Sequence, residues 1–365
     1  MAGINIAQLD SVVRRLGEVV VDPSLWPDVL HQASVAVGAT GAALLQSDNR
    51  TPDIPRSPGV NELFRRYFES NWHVRDIRAV RGVPMLRWDK VVFDQEFICA
   101  EEMGQDPFYN ELLLPNGMKW FAGVGFRAGA SLWAMSIQRS AKEGPFEEAD
   151  KRIFRRLSDH LTKTATLSKA VEMANLNGVT NALDLVRQPA VTLGTAGAVI
   201  STNNAAEGVF DEWLRVTHQR LRIKDDQSRS AMEAALRSID VQEDGCPHIP
   251  VVVRRGARRP VVVRILSVNG AASYPFLGAR KLLLFTDLEV RSRPHQADLA
   301  RIFGLTTAES RLAADIASGY SVDEVAERLG ITRETARNQL KTVLSKTDTH
   351  RQGELVGLLS RMVRS

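Results

Sequence analysis

Four side chains near the end of the chain have the types and spacing to read duplex DNA: Arg333, Arg337, Asn338 and Lys341. Arginine pairs bidentately with guanine and asparagine with adenine, so Arg337 and Asn338 are the candidates for base edges. Lys341, one helical turn further on, suits a base edge or a phosphate. Thr332, Arg333 and Thr335 stand at the start of the same segment, where hydroxyls and a guanidinium suit phosphate oxygens. The competing reading is that these are solvated surface groups, and taken singly each residue favours it.

What shifts the balance is the scaffold that the surrounding sequence predicts. The run "VAERLGITRETARNQL", Val325 to Leu340, breaks one helical pattern at Gly330 and restarts another at Thr332. A helix-turn-helix needs a short turn of this kind. It also needs a small residue where the helices cross, and Ala326 supplies one. A residue tolerant of positive φ is required in the turn, and Gly330 meets that need. In the third helix Ala336, Leu340, Val343 and Leu344 recur at helical spacing and are expected to face inward, leaving the polar set outside. Thr306-x-x-Glu309, Ser321-x-x-Glu324 and Thr349-x-x-Gln352 read as capping boxes before helical patterns, and Gly319 as a helix-ending glycine. Residues 333–346 carry four basic side chains against Glu334, while 304–365 as a whole has nine basic and eight acidic ones. Positive charge is thus concentrated on the presumed recognition helix, as expected of a helix that enters the major groove.

The stretch "LTTAESRLAADIASGYSVDEVAERLGITRETARNQLKTVLSKT" resembles the DNA-binding domain of the LuxR/GerE family of bacterial transcription regulators, over about 60 of the 365 residues. The resemblance implies a four-helix domain with its third helix in the major groove. It places the family's base-contacting positions on Arg337, Asn338 and Lys341, and implies a fourth helix that pairs two copies. That helix maps to about 351–363, with Leu355, Leu358, Leu359 and Met362 as an apolar stripe serving core, interface or both. The sequence departs from the family at Ala336, at Gln339 and through "TDTHRQ" before the fourth helix.

The remainder of the chain is long enough for more than one further domain. A hydrophobic content of 44% and a charged content of 25% are those of an ordinary soluble globular protein, and the net charge of +4 permits a nucleic-acid partner without requiring one. No apolar run reaches membrane-spanning length and no signal peptide is apparent, so a cytoplasmic protein is expected. Two distant cysteines, Cys99 and Cys246, exclude a disulfide framework. The seven histidines show no ligand-like spacing, and no cofactor or metal is expected. No P-loop, G-x-S-x-G or HExxH signature is present, so the chain is not expected to be an enzyme.

The fold class expected is α+β. Residues 1–145 show helices, then strands, and resemble a GAF-like or autoinducer-like sensor domain in the order of their elements. Residues 146–177 read as a connector helix, with Ile153, Leu157, Leu161, Leu167 and Val171 packed on their own domain or forming a dimer seam. Residues 178–290 open on "GAVISTNNAAEGVF", which is similar to the start of a PAS domain. Here "PVVVRRGARRPVVVRILSV" reads as a hairpin with Gly256 at its tip. Its Arg254, Arg255, Arg258 and Arg259 make a solvated edge or touch DNA or an acidic partner. Residues 291–303 are a linker, and 304–365 the helix-turn-helix domain.

Five of the six tryptophans lie in the first block. Tyr67, Trp72, Trp88 and Trp120 are the candidates to line a small-ligand pocket, against the alternative that they are core. The expectation is a transcription regulator that binds double-stranded DNA as a homodimer under the control of its N-terminal modules, with a small molecule and RNA polymerase as further partners. The alternatives are an enzymatic or ligand-binding sensor with a regulatory DNA-binding tail, and an alternative sigma factor.

Overall fold

The computed structural model describes residues 3–363, apart from 48–51, 53, 195–196, 240–248, 268–274, 277 and 291–292. Cys246, His248 and the first two linker residues lie outside the described residues. The fold is mixed helix and sheet, as the patterns predict. The chain divides into two compact units. One comprises Met1–Arg222, Glu233–Ile249 and Arg264–Leu284, the other Ile223–Met232, Pro250–Val263 and Phe285–Ser365. None of the described helices is long and apolar enough to cross a membrane.

The N-terminal part begins with α1 (Ile6–Arg15), α2 (Glu18–Val21) and α3 (Trp26–Ala36). After these comes strand β1 (Gly41–Gln46), then α4 (Asn61–Glu69) and α5 (Ile77–Leu86). Next are β2 (Val91–Phe93), α6 (Ala100–Gln105), β3 (Trp120–Ala128) and β4 (Ser131–Arg139). The four strands form an antiparallel sheet in the order β1-β4-β3-β2. Its two faces carry separate cores, and β4 shows why. Side chains alternate across a strand, so Trp133, Met135 and Ile137 join the core built with Trp26, Leu30 and Phe154. Ala134, Ser136 and Gln138 face the other side, beneath α4 and α5. On β3 the same alternation sends Ala122, Val124 and Phe126 to the first core and sets Gly123 and Gly125 against Leu86.

Helix α7 (Lys151–Leu185) follows, 35 residues long. It ends eight residues later than the spacing suggested, because the helical pattern runs unbroken past residue 177. Phe154, Leu157, Leu161 and Ala165 are buried in the core of its own domain, so this half of the helix packs at home. Leu167 lies beyond that contact and is exposed. At the far end the Asp184 carboxylate accepts the Asn204 and Ala205 N–H groups at 3.0 and 2.9 Å.

A second sheet is built from β5 (Ala190–Gly194), β6 (Val199–Thr202), β9 (Val251–Arg255), β10 (Arg258–Ser267) and β11 (Ala279–Asp287), in the order β6-β5-β11-β10-β9. Between β6 and β9 come α8 (Asn204–Glu207), the two-stranded β7 (Leu214–Thr217) and β8 (Arg220–Ile223), and α9 (Asp226–Ile239). The strand, turn and helix read from "GAVISTNNAAE" are present, with Asn203 capping α8. So is the hairpin, with Gly256 at φ 61°. Arg255, however, is not part of a solvated tip. It is 1% exposed and paired with Asp287, Nη1 to Oδ2 at 3.0 Å, because position 255 falls on the inward face of β9.

The C-terminal part is all helix: α10 (Gln296–Phe303), α11 (Thr307–Ala317), α12 (Val322–Leu329), α13 (Arg333–Lys346) and α14 (Gln352–Val363). Its core gathers Leu299, Leu312, Ile316, Val325, Val343 and Leu359 from all five helices.

Candidate nucleic-acid interface and a buried cavity

Helix α13 is fixed at its start by local chemistry. Gly330 ends α12 at φ 66°, a left-handed conformation that costs an L side chain about 1–2 kcal/mol. Ile331 then donates its N–H back to Ala326 O at 3.0 Å, and Thr332 is the N-cap of α13, its Oγ1 accepting from Thr335 N–H at 3.1 Å. The two predicted boxes before α11 and α12 are formed. Thr306 N–H donates to Glu309 Oε2, and Ser321 N–H to Glu324 Oε2, each at 2.7 Å. Gly319 follows α11 at φ 83°, as expected of a helix-ending glycine.

The third predicted box is not formed. Asp348 turns the chain at φ 50°, Thr349 Oγ1 bonds Thr347 Oγ1 at 2.9 Å, and α14 opens later, with Glu354 reaching back to the His350 N–H at 2.8 Å. This is the stretch in which the sequence departs from the family it resembles. In α14 Leu355 and Leu359 are fully buried, Met362 packs beside them, and Leu358 is half-buried.

The division of faces on α13 follows the helical period. Ala336 and Val343 are buried, with Leu340 and Leu344 packed against the core. Thr332, Arg333, Thr335, Arg337, Asn338 and Lys341 are all exposed. Among the described residues Arg337, Asn338 and Lys341 have no side-chain hydrogen bond or ion pair. Arg333 Nε stands 3.6 Å from Asp323 Oδ1 of α12. Such a loose exposed pair is worth a fraction of a kcal/mol and leaves the guanidinium free to exchange partners. Lys346 is different: its Nζ is 2.7 Å from Glu309 Oε2. The hydrogen bond from Lys346, with a second from Thr306 N–H, lowers the Glu309 carboxyl below its usual range.

Of the four aromatic residues proposed for a ligand pocket, Tyr67, Trp72 and Trp120 meet in one core cluster, and Trp88 does not join them. Tyr67 lines a cavity between α4, α5 and the sheet. Trp72 is buried beside Phe108 in the core that adjoins it, and Trp120 is half-buried. Trp88 is 93% exposed, two residues past the end of α5, and lines nothing. The cavity measures about 50 Å³ and opens in part to solvent. Leu63, Phe64, Leu86, Leu112 and Phe121 give it apolar walls.

Its polar floor escaped the sequence reading. Arg78 is 5% exposed and donates to four acceptors. These are Asp94 Oδ2 at 2.9 Å, Gln138 Oε1 at 2.8 Å, Lys119 O at 2.8 Å and Tyr109 Oη at 3.2 Å. Tyr109 in turn donates to Asp94 Oδ1 at 2.8 Å, and Gln138 Nε2 to Ser136 Oγ at 2.8 Å. Asp76 caps α5 through its Oδ1 and accepts the Tyr67 hydroxyl on Oδ2 at 2.9 Å. Burial raises the Asp94 carboxyl to about 6 against the pull of Arg78. Burial likewise raises the Tyr109 hydroxyl. The signal that could have found this floor is the alternation Trp-Ala-Met-Ser-Ile-Gln in β4, which sets small and polar residues opposite a bulky apolar face.

No family model and no curated protein matches the chain. Among solved structures it is similar to the "Crystal structure of the phage VqmA-DPO complex", at 14% identity and a TM-score of 0.23, over 53% of this chain and 92% of that one. It is also similar to the "Crystal Structure of the E.coli DhaR(N)-DhaL complex", at 10% identity and a TM-score of 0.21, over 78% of this chain and 90% of that one. At these TM-scores neither likeness fixes a fold or a function.

Proposed function

We propose that the protein is a sequence-specific double-stranded DNA-binding transcription regulator of the LuxR/GerE kind, not an enzyme, and that its helix α13 enters the major groove. One observation carries this reading. Arg337, Asn338 and Lys341 stand side by side on an exposed helix face without partners among the described residues, while the turn and cap before them hold that helix in place. Arg337 and Asn338 read base edges, Lys341 reads a base edge or a phosphate, and Thr332, Arg333 and Thr335 engage the backbone. Two copies read two related half-sites, paired in part through α14. GAF-like and PAS-like modules in the cytoplasm set the activity of the pair, with RNA polymerase as a further partner.

The test is selection of duplexes from a random pool by the full chain at stated salt. A recurrent motif is expected, and the same selection with Arg337→Ala should lose preference at one base pair of each half-site. Retention of DNA without any enriched sequence would count against base reading by α13.

A further inference from the structure

The cavity of the N-terminal part is chemically one-sided. An arginine side chain has five N–H donors, a glutamine amide two and a serine hydroxyl one. Arg78 directs four of its five to protein acceptors, leaving one hydrogen on Nη1. Gln138 uses one of its two amide hydrogens, on Ser136 Oγ, and Ser136 has its own hydroxyl hydrogen to give. These three side chains are 5%, 4% and 3% exposed and all line the cavity. Among the described residues nothing accepts those hydrogens. Each of these atoms already has one partner, so the spare hydrogens cost less than the about 1–3 kcal/mol of a wholly unpartnered donor, and an occupant that supplies acceptors is still favoured.

Charge narrows the class. The Arg78 guanidinium already faces Asp94 at 2.9 Å, and the Asp76 carboxylate lies on the same cavity wall, so the floor has no spare positive charge for an anion. A carboxylate entering here would lose its hydration without a counter-ion. The walls are aliphatic and aromatic, and the space is small. We propose that this cavity is a ligand site for a small neutral carbonyl compound, its carbonyl oxygen on the Arg78, Ser136 and Gln138 donors and its apolar body against Leu63, Leu86 and Phe121. This deepens the reading of the N-terminal part as a sensor. It does not depend on α13 reading DNA.

The experiment uses the full chain and three matched probes observed by fluorine NMR: 4-fluoroacetophenone, 1-ethyl-4-fluorobenzene and 4-fluorobenzoate. They share a ring and differ in the head group. Saturable broadening of the ketone signal is expected, with the ethyl compound and the benzoate each about tenfold weaker, the worth of one or two net hydrogen bonds. Ser136→Ala should weaken the ketone several-fold and leave the ethyl compound unchanged. Ala134→Leu, which fills the cavity floor, should abolish ketone broadening. If Ala134→Leu does not fold, as judged by circular dichroism, the Ser136→Ala contrast between ketone and ethyl compound decides alone. The proposal is overturned if no probe binds, so that the cavity holds water only. It is equally overturned if the three bind alike, if the benzoate binds best, or if the ketone still binds to folded Ala134→Leu. A DNA selection that succeeds while all three probes fail would sink the cavity proposal and leave the regulator standing.

Discussion

Lys346 Nζ lies 2.7 Å from Glu309 Oε2 and 3.2 Å from Gly304 O, so the last basic residue of α13 ties that helix to α11. The cations that α13 can offer to phosphate are therefore fewer than its sequence suggests, and Arg337 and Lys341 are the unengaged ones. Each phosphate contact contributes about one unit to the slope of log K against log salt. Lys341→Ala should lower that slope by about one if it meets phosphate, and leave it unchanged if it meets a base. Lys346→Ala should leave the slope alone and lower stability by about 1 kcal/mol, because it strands the Glu309 carboxylate. Fluorescence titrations at several salt concentrations, with urea unfolding alongside, separate the two lysines.

Arg337→Ala is expected to cost about 1–3 kcal/mol on the selected duplex and to relax preference at one base pair, whereas Asn338→Ala should relax a different one. Competition against single-base variants of the duplex measures both. Equal losses across all variants would assign these residues to the backbone rather than to bases.

Gly330→Ala tests the turn alone. A Cβ there meets nothing within 4 Å, so only the backbone at φ 66° resists it. The expected loss is about 1–2 kcal/mol, read as a shift of the urea midpoint with an unchanged slope.

Gly123→Ala tests the opposite situation in β3. An added Cβ would lie 2.8 Å from Phe121 Cζ, so a ring packed in the interior must move. Overpacking of this kind costs about 1–3 kcal/mol. The variant should also bind 4-fluoroacetophenone less well, because Phe121 forms part of the cavity wall.

Acidity should act on the N-terminal core through Asp94. Burial raises its carboxyl from 3.8 to about 6, so the folded state holds the proton more tightly than the unfolded chain does. The resulting contribution to stability is full below about pH 4 and is lost as pH rises through about 6. Glu309 works in the other direction: its carboxyl is lowered, so its contribution is present at neutral pH and lost in acid. Circular dichroism melts of wild type and Asp94→Asn between pH 4 and 7 should differ in slope over that window. Parallel curves would remove Asp94 from the account.

The helices of the C-terminal part were legible because their determinants are local. Thr306, Ser321, Thr332 and Gly330 act on residues within a turn of themselves, and Ala336 and Val343 follow a period that can be counted. The "TDTHRQ" stretch was misread for the converse reason: Thr349-x-x-Gln352 has the letters of a capping box, but Asp348 at positive φ swings Thr349 towards Thr347 instead. The cavity was harder still. The network under its floor joins Arg78, Asp94, the Lys119 carbonyl and Gln138, brought together from α5, the turn after β2, the residue before β3 and β4 only by the register of the sheet. Aromatic side chains were a partial guide: Tyr67 lines the cavity, but Trp88 points to solvent, and the small Ala134 and Gly82 make part of the room.

Helix α7 runs without interruption from the hydrophobic core beneath β3 to the Asp184 carboxylate that caps α8, about 52 Å at 1.5 Å per residue. Along that length the stretch best able to yield is Gly178 with Thr180, whose hydroxyl donates back to Leu176 O and Asn177 O. A displacement where Phe154 and Leu161 are gripped reaches Asp184 less whatever that stretch takes up. What arrives there acts first on the Asn204 and Ala205 N–H groups that the Asp184 carboxylate holds.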